Sequence, residues 1–144
     1  MAVPRVGRLV SRRRVFTPAN ADAGGAQKKI SQNEFTERAW EAIVLAPEIA
    51  QNATQQIVET EHLCKALFEQ KDAFAVRIIS EAGADPVAAA GFIDRFINRQ
   101  PKVSGGAQQV LGRHLESLVD AARDKKSQMG DDFVAVEHLV LAMG

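Results

Sequence analysis

Two Glu-His pairs, Glu61-His62 and Glu137-His138, are the residues of this chain whose types could do chemistry. A histidine beside a carboxylate is the material of metal sites and of proton transfer. The spacing argues against both. Neighbouring residues on a helix point about 100° apart, whereas a zinc-binding helix needs two histidines four residues apart on one face. No Gly-x-Ser-x-Gly elbow is present to support Ser-His-Asp hydrolysis. No Gly-x4-Gly-Lys-Ser/Thr stretch is present to cradle nucleotide phosphates. Asp131-Asp132 reads as a solvated turn. The single cysteine, Cys64, has no partner for an internal disulfide and falls on an apolar helix position, which fits a small buried hydrophobe. The segment is therefore expected not to be an enzyme, with His62 and His138 starting helices.

Both pairs belong to a repeat. Gln55-Gln56-Ile57-Val58-Glu59-Thr60-Glu61-His62-Leu63 returns 76 residues later as Asp131-Asp132-Phe133-Val134-Ala135-Val136-Glu137-His138-Leu139. The same offset carries Phe35, Ala39, Ala42, Ile43 and Ala46 onto Leu111, Leu115, Leu118, Val119 and Ala122. A helix stripe and the turn after it recur together, which marks a repeated supersecondary unit. The offset sets Gly144 opposite Phe68, so counterparts of residues 69–97 are missing, and the chain is expected to be a fragment of a longer protein.

The elements that must position these residues are helical. The apolar positions of residues 33–52 follow the 3.6-residue period from Phe35 to Ala50, with Asn33 as a cap and Pro47 expected to kink or end the helix. Thr60 should cap a second helix carrying Leu63, Cys64, Leu67 and Phe68. A third is expected over 73–82, with Gly83 supplying a left-handed stop. Asp85-Pro86 opens a fourth, striped by Ala89, Ile93, Phe96 and Ile97. Residues 99–107, with Pro101 and Gly105-Gly106, read as a linker. A fifth helix spans 108–128 and a sixth starts near Glu137. No alternating strand is evident. The expected fold class is all-α, a pseudo-two-fold repeat of helical units truncated at its C-terminus. Repeat one covers about 33–98 and repeat two about 108–144.

Charge is uneven although the total is zero. Residues 1–29 hold seven basic residues and one acid, and the remainder holds 11 basic and 17 acidic residues. The Arg-rich, acid-poor leader reads as an organelle transit peptide or as a disordered basic arm. A body near −6 is unsuited to a phosphate backbone, so no nucleic acid is expected as a partner. No apolar run reaches the roughly 18 residues a membrane helix needs, so no membrane partner is expected either.

The opening Phe35-Thr36-Glu37-Arg38-Ala39, the two Glu-His-Leu helix starts and Gly130-Asp131-Asp132-Phe133-Val134 resemble the Clp N-terminal domain of the AAA+ chaperones. The resemblance covers about residues 33–144. Gln100-Pro101-Lys102-Val103-Ser104-Gly105 is similar to the linker of the ClpB disaggregase branch. The resemblance implies a mobile appendage of two pseudo-repeats of four helices that engages exposed hydrophobic stretches of unfolded or aggregated proteins. Thr36, Asp131 and Glu137 match the family's client-binding polar residues, around an apolar groove built from both repeats. Rim acids there would favour clients with basic flanks. The segment itself needs no cofactor, while ATP and magnesium are implied for AAA+ modules further along a hexameric full-length chain. The leader and the resemblance together place it in the plastid stroma, with mitochondrial matrix or cytoplasm as alternatives. The alternative function is an adaptor-docking domain of a ClpA- or ClpC-type partner of a Clp protease. The sequence departs from the family at His138, apolar in some ClpB proteins, at Pro47, and at Val136, which cannot cap as Thr60 can.

Overall fold

The computed structural model describes residues 30–72, 74–104 and 108–144. Residues 1–29, Ala73 and Gly105-Gly106-Ala107 lie outside them. Six α-helices are present among the described residues: α1 (Glu37–Asn52), α2 (Thr60–Phe68), α3 (Phe74–Glu81), α4 (Pro86–Arg99), α5 (Arg113–Gln128) and α6 (Val136–Ala142). The first and fifth helices begin and end at positions 76 apart. Two short strands, β1 (Ile57–Val58) and β2 (Val110–Leu111), pair in parallel, with Ile57 opposite Val110 and Val58 opposite Leu111.

The strands correct the all-helical expectation locally, and they show how the repeats join. An isolated parallel bridge pairs Phe35 with Val134. Under the offset of 76, Phe35 is the counterpart of Leu111, and Val134 that of Val58. Each repeat thus pairs the segment before its first helix with the segment before the other repeat's second helix. The backbone bonds match: Gly112 N–H donates to the Val58 carbonyl at 2.8 Å and Thr36 N–H to the Val134 carbonyl at 2.9 Å. A strand of two residues is too short for any period to reveal.

Helix starts moved for related reasons. The first helix is capped by Thr36, whose Oγ1 accepts the Ala39 N–H at 3.3 Å, rather than by Asn33. Phe35 therefore lies outside the helix, buried with its ring centroid 5.7 Å from that of Trp40. Thr60 is the first helical residue rather than the cap, which is Glu59. Helix α5 starts after Gly112, later than residue 108, because Val110 and Leu111 are in β2. Pro47 does not end α1, which runs on to Asn52. Proline removes one backbone bond, but Ala46, Ile49 and Ala50 are buried around it, and tertiary burial holds a helix that propensity alone would break. Helix α4 extends to Arg99, into the expected linker. Gly83, with φ +94, ends the third helix region as expected, and Asp85 Oδ1 caps α4 by accepting the Val87 N–H at 3.0 Å.

One buried cluster draws on both repeats, with Trp40, Ile43, Leu63 and Leu67 joined to Leu115, Val119, Val134 and Leu139. Helix α1 packs on α2, and α5 on α6. Across the repeats α2 meets α5, α1 meets α6, and α3 reaches both α2 and α6.

Candidate functional site

The Phe35–Val134 bridge gathers the three residues singled out from the sequence. Thr36 follows Phe35 and donates its N–H to Val134. Asp131 lies at the turn after α5, where its N–H donates to the Lys126 carbonyl at 3.0 Å. Glu137 is half-buried in the first turn of α6. Between Asp131 and Val134 the Phe133 side chain is half exposed. An exposed apolar ring and an exposed carboxylate thus occupy one short segment at the junction of the repeats.

Both histidines serve the backbone. Glu59 N–H donates to His62 Nδ1 at 2.9 Å, and Ala135 N–H donates to His138 Nδ1 at 2.8 Å. A nitrogen that accepts carries no proton, so Nε2 bears the hydrogen in each ring. His62 Nε2–H then donates to Gln55 Oε1 at 2.7 Å and His138 Nε2–H to Asp131 Oδ2 at 2.8 Å. Gln55 and Asp131 are themselves repeat counterparts. Burial pushes the His62 imidazole down to about 4. With both nitrogens engaged, neither ring is offered to a metal, and the described residues contain no group of three or more His, Cys, Asp or Glu placed to hold one. The Cys64 thiol, pushed up to about 12 by burial and then by the Glu61 charge, contacts Met143 Sδ at 3.4 Å across the repeats.

The same junction in repeat one is built differently. The counterparts of Thr36, Asp131 and Glu137 are Gly112, Gln55 and Glu61. Gln55 is buried, with its Nε2 donating to the Ile97 carbonyl. Glu61 accepts from the Gln100 side chain, and burial raises its carboxyl above the ordinary range. Gly112 has no side chain with which to cap α5. The Glu59 carboxylate does so instead, accepting the Leu115 N–H at 3.3 Å, and a Cβ on Gly112 would stand 2.2 Å from Glu59 Cδ. Sequence reasoning missed Glu59 and His138 as participants. The offset held the signal for the second, since it sets the neutral Gln55 opposite the charged Asp131 before equivalent histidines.

Concave and apolar surfaces occur elsewhere too. A groove of about 370 Å³ is lined by Phe68, Val76, Val87, Ala90 and Ile93, with Lys65 and Asp94 at its polar edge. All belong to repeat one, so this groove is not the two-repeat groove that the resemblance implied. Helix α4 also exposes Phe92 and Phe96, with the Arg95 and Arg99 guanidinium groups 5.6 and 5.7 Å from the respective ring centroids. Among the described residues no helix is long and apolar enough to cross a membrane.

The duplicated helical unit with reciprocal strand exchange defines a class. Residues 34–144 match the Clp repeat (R) N-terminal domain, and the chain belongs to that family. Among curated relatives, the rice (Oryza sativa subsp. japonica) chaperone protein ClpB2, chloroplastic, is 47% identical over 139 residues, 96% of this chain and 14% of that protein. The Arabidopsis thaliana chaperone protein ClpB3, chloroplastic, is 49% identical over 122 residues, 84% of this chain and 13% of that protein. The rice chaperone protein ClpB3, mitochondrial, is 44% identical over 131 residues, 89% and 13%. The domain is therefore of the ClpB type, and the ClpA/ClpC alternative is the less supported. This chain spans about one seventh of the length of these relatives. Its fold is similar to the Hsp104 N-terminal domain from Candida albicans, with a TM-score of 0.68, 19% identity, and coverage of 76% of this chain and 72% of that one. It is equally similar to the N-terminal domain of the E. coli ClpV1 ATPase, with a TM-score of 0.68, 19% identity, and coverage of 77% and 68%.

Proposed function

We propose that this chain is the client-binding module of a ClpB-type ATP-dependent chaperone that disaggregates and refolds damaged proteins. The observation that carries the reading is that a half-exposed Phe133 and Asp131, whose side chain is 47% exposed, share the short segment that leads into the Phe35–Val134 bridge. Burying a client's apolar residues against such a ring contributes about 25 cal/mol per Å² and tolerates many sequences. The acids Asp131 and Glu137 add preference for basic flanks, and Thr36 joins them through its backbone bond to Val134. ATP and magnesium belong to AAA+ modules of the full-length protein, which would act as a hexamer on unfolded or aggregated clients. An organellar address, plastid first, is supported by the chloroplastic and mitochondrial names of the relatives and by the Arg-rich leader.

The test is a titration of this chain into a fluorescein-labelled peptide with a leucine-valine centre and lysine flanks. Asp131→Ala and Glu137→Ala should each weaken binding by about threefold to tenfold, since a charge-assisted contact at a partly exposed site is worth roughly 1 kcal/mol. Circular dichroism checks that both variants fold. Unchanged affinity in both variants counts against the site.

A further inference from the structure

We infer that His138 is the positioning residue of this site, holding one Asp131 oxygen through Nε2–H so that the other faces outward to accept cationic or N–H groups of a client. The inference rests on the client-binding reading of Asp131. The two members of the pair sit in opposite environments: the His138 side chain is 1% exposed and the Asp131 side chain 47%. A buried ring therefore anchors an exposed charge. The ring is itself anchored, because Ala135 N–H at 2.8 Å occupies Nδ1 and leaves Nε2 as the donor. Asp131 Oδ2 lies 2.8 Å from that donor.

Repeat one shows what the same ring does without a charge. There His62 Nε2–H meets the Gln55 carbonyl oxygen, and the Gln55 amide group goes on to donate to Ile97. A glutamine both accepts and donates, so the network closes on the protein. An aspartate only accepts. It takes the histidine's hydrogen but has nothing to give a backbone carbonyl, and on a side chain 47% exposed its second oxygen is open to a donor from solvent or from a bound chain. Fixing the carboxylate before binding also removes rotamer freedom that the complex would otherwise have to freeze.

Two substitutions separate positioning from simple support of the fold. In His138→Asn the side-chain oxygen is short enough to take over the Ala135 N–H but cannot reach Asp131. In His138→Gln the amide group reaches Asp131 but no longer serves the Ala135 N–H. With the lysine-flanked peptide, His138→Asn should bind about fivefold more weakly and His138→Gln close to the unaltered chain. A merely structural histidine gives the reverse order, with affinity following melting temperature. Asp131→Gln recreates the repeat-one pair, keeps the fold and discards the charge, and should weaken binding by about tenfold. If Asp131→Gln binds as tightly as the unaltered chain, the client-site reading fails. If Asp131→Gln weakens binding while the two His138 variants match each other or reverse, the site stands and the positioning inference is overturned. Should neither His138 variant fold, imidazole ¹⁵N spectra of the unaltered chain decide. The His138 Nε2 resonance should shift on adding lysine-flanked peptide, and an unmoved resonance at saturation overturns the inference.

Discussion

Burial holds the His62 ring neutral, and folding stability must respond to pH as a result. Its pKa falls from 6.5 to about 4 in the folded chain. Between those values the unfolded chain binds the extra proton and the folded chain does not. The stabilisation is thus fully present above pH 6.5 and is lost as pH falls toward 4. By linkage, this one ring should cost about 2 kcal/mol of stability on going from pH 7.5 to pH 5. Urea unfolding at the two pH values, on the unaltered chain and on His62→Gln, measures it. The variant should be less stable at pH 7.5 and should lose less on acidification; equal losses would place the effect elsewhere. Only the place of this residue at a helix start was legible in the sequence, because the expected cap was Thr60 and not Glu59. Its partner was not. Gln55 lies seven residues upstream across a turn and a strand, where no period connects the two.

The helix ends carry a second asymmetry between the repeats. Helices α1 and α5 stop at equivalent positions, and each turns through a left-handed residue, Thr54 with φ +57 and Gly130 with φ +74. The closing bonds match, from Gln55 N–H to the Ala50 carbonyl at 2.9 Å and from Asp131 N–H to the Lys126 carbonyl at 3.0 Å. A β-branched residue is strained in this conformation, whereas glycine is not. Thr54→Gly should therefore stabilise the fold by about 1 kcal/mol, after allowing for glycine's greater freedom in the unfolded chain. A thermal melt reads it as a rise of several degrees, and a fall would mean that the Thr54 hydroxyl bond to the Ala53 carbonyl matters more than the strain. Element existence was legible because α1 and α5 repeat a full stripe. Element edges were not. Pro47, Asn33 and Thr60 each carry a local preference that packing or a neighbouring residue overrode, and β1 and β2 exist only because segments more than fifty residues apart meet.

At the scale of the molecule, the two repeats are joined by exchange rather than by contact alone. Each lends a strand position to the other, and Glu59 of repeat one caps α5 of repeat two. Glu34 and Arg123 add a two-pronged ion pair across the junction, at 2.9 and 3.1 Å. Burial works to raise the Glu34 carboxyl, but the Arg123 hydrogen bonds and charge prevail and hold it below the ordinary value. The buried cluster is likewise shared, so each half alone would expose the Leu63–Leu67 or Leu115–Leu139 side of one core. Segments that bury too little apolar surface cannot offset the entropy of ordering. Residues 1–104 and 105–144, produced separately, should each lack a cooperative thermal transition, and mixing them should restore helical circular dichroism. A sharp, independent melt of residues 1–104 would show that repeat one folds without its partner. The reciprocal strands and the shared cap would then be decoration on two autonomous units, not the structure that builds the junction and places Asp131 on it.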